Sequence, residues 1–314
     1  MNSHELGTIL VLGCEGQVGR ELTQLFEGDL NFAFYGTTLD PTVVSPRIQF
    51  LDVTDHRKLL GTLDRISPKV IVNATAYTAV DRAEEERRLA FQVNDEAVRI
   101  LAEYCSAHDI TLIHYSTDYV FSGKGTQPFK ESDSAGPLNQ YGKSKLQGEQ
   151  AILEAGGHAY ILRTSWVFSA HGHNFVKTML KLGAERQQLS VVGDQVGAPT
   201  SAPVLARLTH KLAHLVMQGG REFLEETRGV YHLTCRGETS WWGFAQEIFQ
   251  QARAKGLPLV VEEVLSVPSS EYKTKAERPH NSRLSIEKWV GTFGVQPGHW
   301  QDALSEVLDD LLAR

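Results

Sequence analysis

The 314-residue sequence predicts an α/β fold, in which a doubly wound parallel sheet carries a smaller interleaved lobe. Three observations lead there. Short β-branched or aromatic runs alternate with longer helical patterns through the first half, which is how a parallel sheet with covering helices reads. Three glycines, Gly13, Gly16 and Gly19, follow the first apolar run directly and open a helical pattern. After about Ser165 the alternation loosens into loops.

Strands are expected over residues 8–12, 32–35, 48–51, 70–73, 111–116 and 160–162. Val18, Leu22, Leu25 and Phe26 recur at helical spacing between the first two, as do Ala97, Leu101, Tyr104 and Cys105 between the fourth and fifth. Later come a helix over 202–217, a strand over 230–233, a helix over 241–254, a strand over 259–264 and a last helix over 300–312. Trp241 and Trp242 begin a helix that continues Phe244, Ile248 and Phe249, so they read as core. Residues 1–170, joined again by roughly 201–236, are expected to form a dinucleotide-binding domain; 171–200 and 237–314 would form a substrate-binding lobe.

Composition narrows the function classes. With 41% hydrophobic and 22% charged residues the chain has ample material for a core. A net charge of -7 without a Lys/Arg-rich segment argues against a nucleic-acid partner. No stretch reaches the ~18–20 apolar residues of a membrane span, and residues 1–7 carry neither a charged nor a long apolar export segment. The three separated cysteines suit a reducing compartment, so a cytoplasmic protein handling small molecules is expected. His171 and His173 lack a nearby third ligand and read as loop histidines, so no metal site is assigned.

The glycines lie where a chain must turn tightly and approach a pyrophosphate, with the following helix N-terminus offering free N–H groups. At the end of the second strand an acid would favour NAD and a base NADP. Residues 35–40 show no immediate acid and no nearby base; Asp40 reads either as a ribose contact or as a turn residue before Pro41, and Arg20 equally as a phosphate contact or a solvated helix residue. Discrimination between NADH and NADPH should be weak. Tyr141 and Lys145 stand four apart, on one face of a helix, where an ammonium favours the phenolate of a tyrosine. Thr117, at the carboxyl edge of the fifth strand, completes a site for carbonyl reduction.

The segments 13–19 (GCEGQVG), 72–84 (VNATAYTAVDRAE), 116–121 (STDYVF), 141–145 (YGKSK), 163–168 (RTSWVF) and 194–200 (DQVGAPT) resemble the signature of dTDP-4-dehydrorhamnose reductases, among the extended short-chain dehydrogenases. The likeness runs from about residue 8 to 205 and thins beyond, although Arg278-Pro279 is similar to the family's C-terminal Arg-Pro segment. It implies a Rossmann-type fold and reduction of the C4 ketone of a dTDP-linked 6-deoxy sugar by NADPH or NADH. It implies catalytic Thr117, Tyr141 and Lys145, and cofactor contacts from Gly13, Gly16, Gln17, Val18, Gly19, Asp52, Val53, Ala74, Ala76 and Tyr77 besides Tyr141 and Lys145. Val80, Asp81, Asp118 and Trp166 would join Thr117 and Tyr141 around a nucleotide-sugar substrate. Some members of the family pair through acidic residues and a magnesium ion, which leaves a homodimer and Mg2+ open by family likeness only. Two alternatives stand: a non-catalytic dinucleotide-binding subunit similar to the regulatory β subunit of methionine adenosyltransferase, and a reductase of another 4-keto sugar nucleotide.

Overall fold

The structure is a computed structural model that describes residues 7–313; the reading of the first residues as lacking an export segment falls on 1–6, outside them. In β1 (Gly7–Leu12) the side chains alternate between two apolar cores, Ile9 and Val11 entering one and Leu10 and Leu12 the other. A strand buried on both faces belongs at the centre of a parallel sheet. β1 pairs in parallel with β2 (Phe32–Thr38) on one side and β4 (Val70–Asn73) on the other. With β3 (Ile48–Phe50), β5 (Thr111–Thr117), β6 (Ala159–Thr164) and the returning strand Gly229–His232, the order across the seven-stranded parallel sheet is Gly229–His232, β6, β5, β4, β1, β2, β3.

The helices close both faces. Leu22 and Phe26 of the helix Gln17–Glu27 meet Leu205 and Leu212 of Ala202–Gln218 in the first core, while Leu59, Leu63, Leu101 and Ile152 cover the other face. Each fully buried side chain of this size contributes roughly 1.5–3 kcal/mol. Strand order reverses between β1 and β4, so the segments leaving their carboxyl ends diverge and open a crevice, the usual ligand position in such sheets.

Beyond β6 the chain builds three small sheets: Val167–Phe168 with Thr200–Ser201, Gln188–Val192 with Glu263–Val267, and Val196–Gly197 between Thr239–Ser240 and Asn281–Ser282. The strand expected over 259–264 lies instead at Glu263–Val267, because Val261 is buried without a ladder partner and pairing starts at Glu263 opposite Gln188. β2 runs three residues past its expected end, to the buried Thr37 and Thr38. The helices Trp241–Ala254 and Trp300–Leu312 have the bounds expected of them. Among the described residues no helix is long and apolar enough to cross a membrane.

Candidate active site

The glycine loop is laced to the end of β2, with the amides of Gly13 and Cys14 donating to the Thr37 carbonyl at 3.2 and 2.8 Å. Gly13 has φ +86°, a left-handed conformation that favours glycine. A Cβ on Gly19 would overlap the Gly13 carbonyl oxygen, so the helix packs onto the loop only without a side chain there. Gly16 differs: it is exposed, and the nearest atom a Cβ would meet is 3.5 Å away. Packing does not require that glycine. Gly16 caps the helix without a side-chain hydrogen bond, leaving first-turn amides for an anion. Val18 packs on the core, and Gln17 Oε1 accepts from Ser169 Oγ (3.1 Å) and Asn174 Nδ2 (2.8 Å), tying the loop to the segment after β6.

A second acid reaches the end of β2 from the glycine loop itself. Glu15 Oε1 accepts from the amide of Leu39, the residue after β2, at 2.5 Å. Asp40 closes its own turn onto Thr42, as its sequence context suggested, and Arg20 is exposed with Nε on the Glu15 carbonyl.

Thr117 ends β5, and Tyr141 stands in the first turn of the helix Gln140–Ala155, whose N-cap Asn139 accepts from Gly142 N at 2.8 Å. A Cβ on Gly142 would overlap the Tyr119 carbonyl and one on Gly148 the Asn94 carbonyl, so both glycines let this helix seat closely. The structure brings the Tyr141 phenol close enough to the Thr117 hydroxyl for the two to interact electrostatically. Burial pushes the Tyr141 phenol up to about 12, the Thr117 hydroxyl opposing and Asp118 adding to the rise. Lys145 is 1% exposed, and its ammonium donates to the Tyr115 carbonyl at 2.6 Å beside His114 Nε2 at 3.2 Å. Burial lowers it to about 8, against the pull of Glu149. Lys145 thus faces β5 rather than the phenol, and Tyr141 is a neutral proton donor at pH 7.

Asp118 is buried beside Thr117, its carboxyl pushed up by burial to about 6, and its Oδ2 has no partner among the described residues. Ala74 and Ala76 follow β4 beside the glycine loop; Tyr77 donates its amide to Asn94 and its hydroxyl to Glu86. Val53 is buried, and Asp52 is exposed with its carboxylate closing a turn onto Thr54. Val80 opens a short helix, Val80–Ala83. In the same turn Asp81 accepts from Arg278 at 2.5 and 3.1 Å, a link that holds its carboxyl below the usual range. Its carboxylate therefore anchors the C-terminal segment. Trp166 adopts φ +49°, strained for a bulky residue, and stacks on Trp241 at 3.6 Å and 12°. Trp241, expected in the core, packs against it half-buried and also walls a cavity of about 730 Å³ with Phe175, Lys273, Lys275, Arg278 and His280.

The chain matches the family described as RmlD substrate binding domain over residues 7–313. It is 40% identical to the dTDP-4-dehydrorhamnose reductase of Escherichia coli (strain K12) over 305 residues, 96% of this chain and 97% of that protein. The chain belongs to the dTDP-4-dehydrorhamnose reductase family. The family's enzyme from Burkholderia thailandensis is 41% identical, over 98% and 99% of the two chains. Among solved structures, the family's enzyme from Bacillus anthracis in complex with NADP superposes with a TM-score of 0.85 at 32% identity, covering 98% of this chain and 100% of that one.

As a dTDP-4-dehydrorhamnose reductase family member the chain presents residues that fit a dinucleotide: an open glycine cradle, an uncapped helix N-terminus and an acid at the end of β2. Among the described residues, the three metal-type side chains that converge are Asp29, His210 and His214, and two imidazoles suit zinc-like ions better than a hard cation that takes oxygen ligands. Sequence reading missed this group, Glu15, and the buried Asn94, His114, Glu149 and Arg163. Asn94 lies in a π-helical turn, Gln92–Glu96, and bonds both the Tyr77 backbone and Ser144 Oγ. Glu149 accepts from Arg163 at 2.6–3.2 Å and from Ser116 Oγ at 2.5 Å, fastening the Tyr141 helix to β5 and β6.

Proposed function

We propose that this protein is an NAD(P)H-dependent reductase of the C4 ketone of dTDP-4-dehydro-L-rhamnose, giving dTDP-L-rhamnose in the cytoplasm. One observation carries the reading: a neutral tyrosine phenol beside a threonine hydroxyl sits at the carboxyl edge of the sheet whose switch point holds the glycine cradle. When bound, the dinucleotide supplies the hydride. Tyr141 donates its phenolic proton to the oxygen of the reduced carbonyl, and the Thr117 hydroxyl orients that oxygen. Lys145, whose ammonium form dominates below about pH 8, holds the cofactor side of the site.

In this reading residues 1–170 with roughly 201–236 serve the dinucleotide, and 171–200 with 237–314 the sugar nucleotide. The cavity walled by Trp241, Phe175 and the basic residues 273–280 suits a base and a diphosphate. Trp166 and Asp118, between cavity and catalytic pair, are assigned to the sugar, Asp118 by its unpartnered Oδ2.

The test is incubation with NADH or NADPH and dTDP-4-dehydro-L-rhamnose, following nicotinamide absorbance and identifying the sugar. Stoichiometric oxidation with formation of dTDP-L-rhamnose is expected. Oxidation only with a different 4-keto sugar nucleotide would replace the substrate assignment, and tight dinucleotide binding without turnover on any would replace the enzyme by a binding subunit.

A further inference from the structure

Glu15 is in the glycine loop, yet its side chain reaches the place where the second strand ends: Oε1 accepts from Leu39 N, while Oε2 is shielded from solvent without a partner among the described residues. Asp40, the nearest acid in sequence, is engaged by Thr42. An acid at this end of the sheet bonds the adenosine ribose hydroxyls and repels a 2'-phosphate. Arg20 is the countervailing charge. Its Nε is held by the Glu15 carbonyl and its charge also acts on Asp40, so two carboxylates and one guanidinium surround the position and the balance is negative.

We infer that Glu15 selects the unphosphorylated dinucleotide, so that NADH is preferred over NADPH by roughly 10- to 100-fold, the span of one charge-assisted hydrogen bond made or lost. The inference rests on the dinucleotide site of the reductase reading and goes beyond it. The sequence suggests weak discrimination because the end of the second strand carries no immediate acid or base and Arg20 can be read either way; Glu15 reaches Leu39 from 24 positions upstream.

Binding is measured without sugar substrate, by quenching of protein fluorescence with NADH and with NADPH, for the full chain and for Glu15→Gln and Arg20→Ala. Glutamine keeps an acceptor for Leu39 N, and thermal melting checks that it folds. Tighter NADH binding, with the ratio falling by about tenfold or more in Glu15→Gln, is expected. Equal or tighter NADPH binding by the unaltered chain, or an unchanged ratio in Glu15→Gln, overturns the inference while leaving the dinucleotide site intact. Binding of neither nucleotide overturns both.

A second observation, on the far side of the glycine-loop helix, stands independently. Asp29 follows that helix, and His210 and His214 lie one turn apart on Ala202–Gln218. Their Nε2 atoms approach the same Asp29 Oδ2 at 2.8 and 2.5 Å, and His210 Nε2 has no hydrogen bond of acceptable geometry. The other carboxylate oxygen is held by Asn31, through its backbone amide at 2.9 Å and Nδ2 at 2.7 Å. Phe26 packs on His210 and Phe32 on His214, with ring centroids 4.9 and 4.8 Å apart, which fixes both rings. Two imidazoles and an oriented carboxylate, partly open to water, form a three-ligand set.

The geometry points to a site for one divalent transition-metal ion of the zinc class. Full-length protein stripped with chelator is titrated with zinc against a chromogenic competitor, beside His214→Gln and the double variant His210→Gln/His214→Gln, with melting temperature as a second readout. One equivalent bound by the unaltered chain, with a rise in melting temperature absent from both variants, is expected. Equal zinc uptake by the unaltered chain and the double variant overturns the site, since any binding at His171 and His173 is common to both.

Discussion

Tyr141→Phe removes one oxygen and leaves the ring in place. The phenyl group keeps its edge contact with Tyr119, at 5.6 Å between centroids, and the helix keeps its Asn139 cap. What is lost is the proton donor. Because burial pushes the phenol up to about 12, the hydroxyl is protonated throughout the working range. Asp118 bonds Thr117, but with its carboxyl at about 6 it is ionised at pH 7. General-acid assistance is worth ~10²- to 10⁴-fold, or about 3–5 kcal/mol of barrier. Steady-state kinetics by nicotinamide absorbance should show kcat reduced by that factor, with dinucleotide affinity from fluorescence quenching within about threefold of the unaltered chain on the same free-energy scale. A loss of less than about tenfold, below the range of general-acid catalysis, would refute the assignment of the proton to Tyr141.

Three further outcomes follow from the surroundings. Lys145, lowered by burial to about 8, is an ammonium below that pH and an amine above it; kcat/KM should therefore fall as pH rises through about 8, and Glu149→Gln, which removes the charge that raises Lys145, should move that limb to lower pH. Removing one member of the buried Arg163–Glu149 pair, joined at 2.6 Å, leaves an uncompensated charge; Arg163→Met should cost about 3–5 kcal/mol in denaturant unfolding. Gly19→Ala places a methyl group on the Gly13 carbonyl and should weaken NADH and NADPH binding alike, measured by fluorescence quenching, with a stability loss of about 1–3 kcal/mol.

Much of the sheet was legible because a strand buried on both faces draws a continuous apolar run, as residues 9–12 of β1 and 70–72 of β4 show. The positions of Thr117 at a strand end and of Tyr141 and Lys145 on one helix were legible because strand ends and helical spacing are local features. What was hidden depends on contacts distant in sequence. Glu15 reaches Leu39 only through the parallel register of β1 and β2, and Arg278 reaches Asp81 across 197 positions. Trp241 looked like core because its helix buries Phe244 and Ile248, but its ring lies on the edge of that face, against Trp166. The direction of the Lys145 ammonium, toward Tyr115 and His114, is a matter of rotamer and burial that spacing does not encode.

The reductase reading is tested most directly by isotope transfer. The protein is supplied with nicotinamide dinucleotide deuterated at the hydride-donating carbon and with dTDP-4-dehydro-L-rhamnose, and the product is read by NMR and mass spectrometry. The account predicts one deuterium per product molecule, bound to C4 of a rhamnose. Deuterium retained entirely in the dinucleotide, with that dinucleotide bound and the sugar nucleotide unchanged, would contradict it.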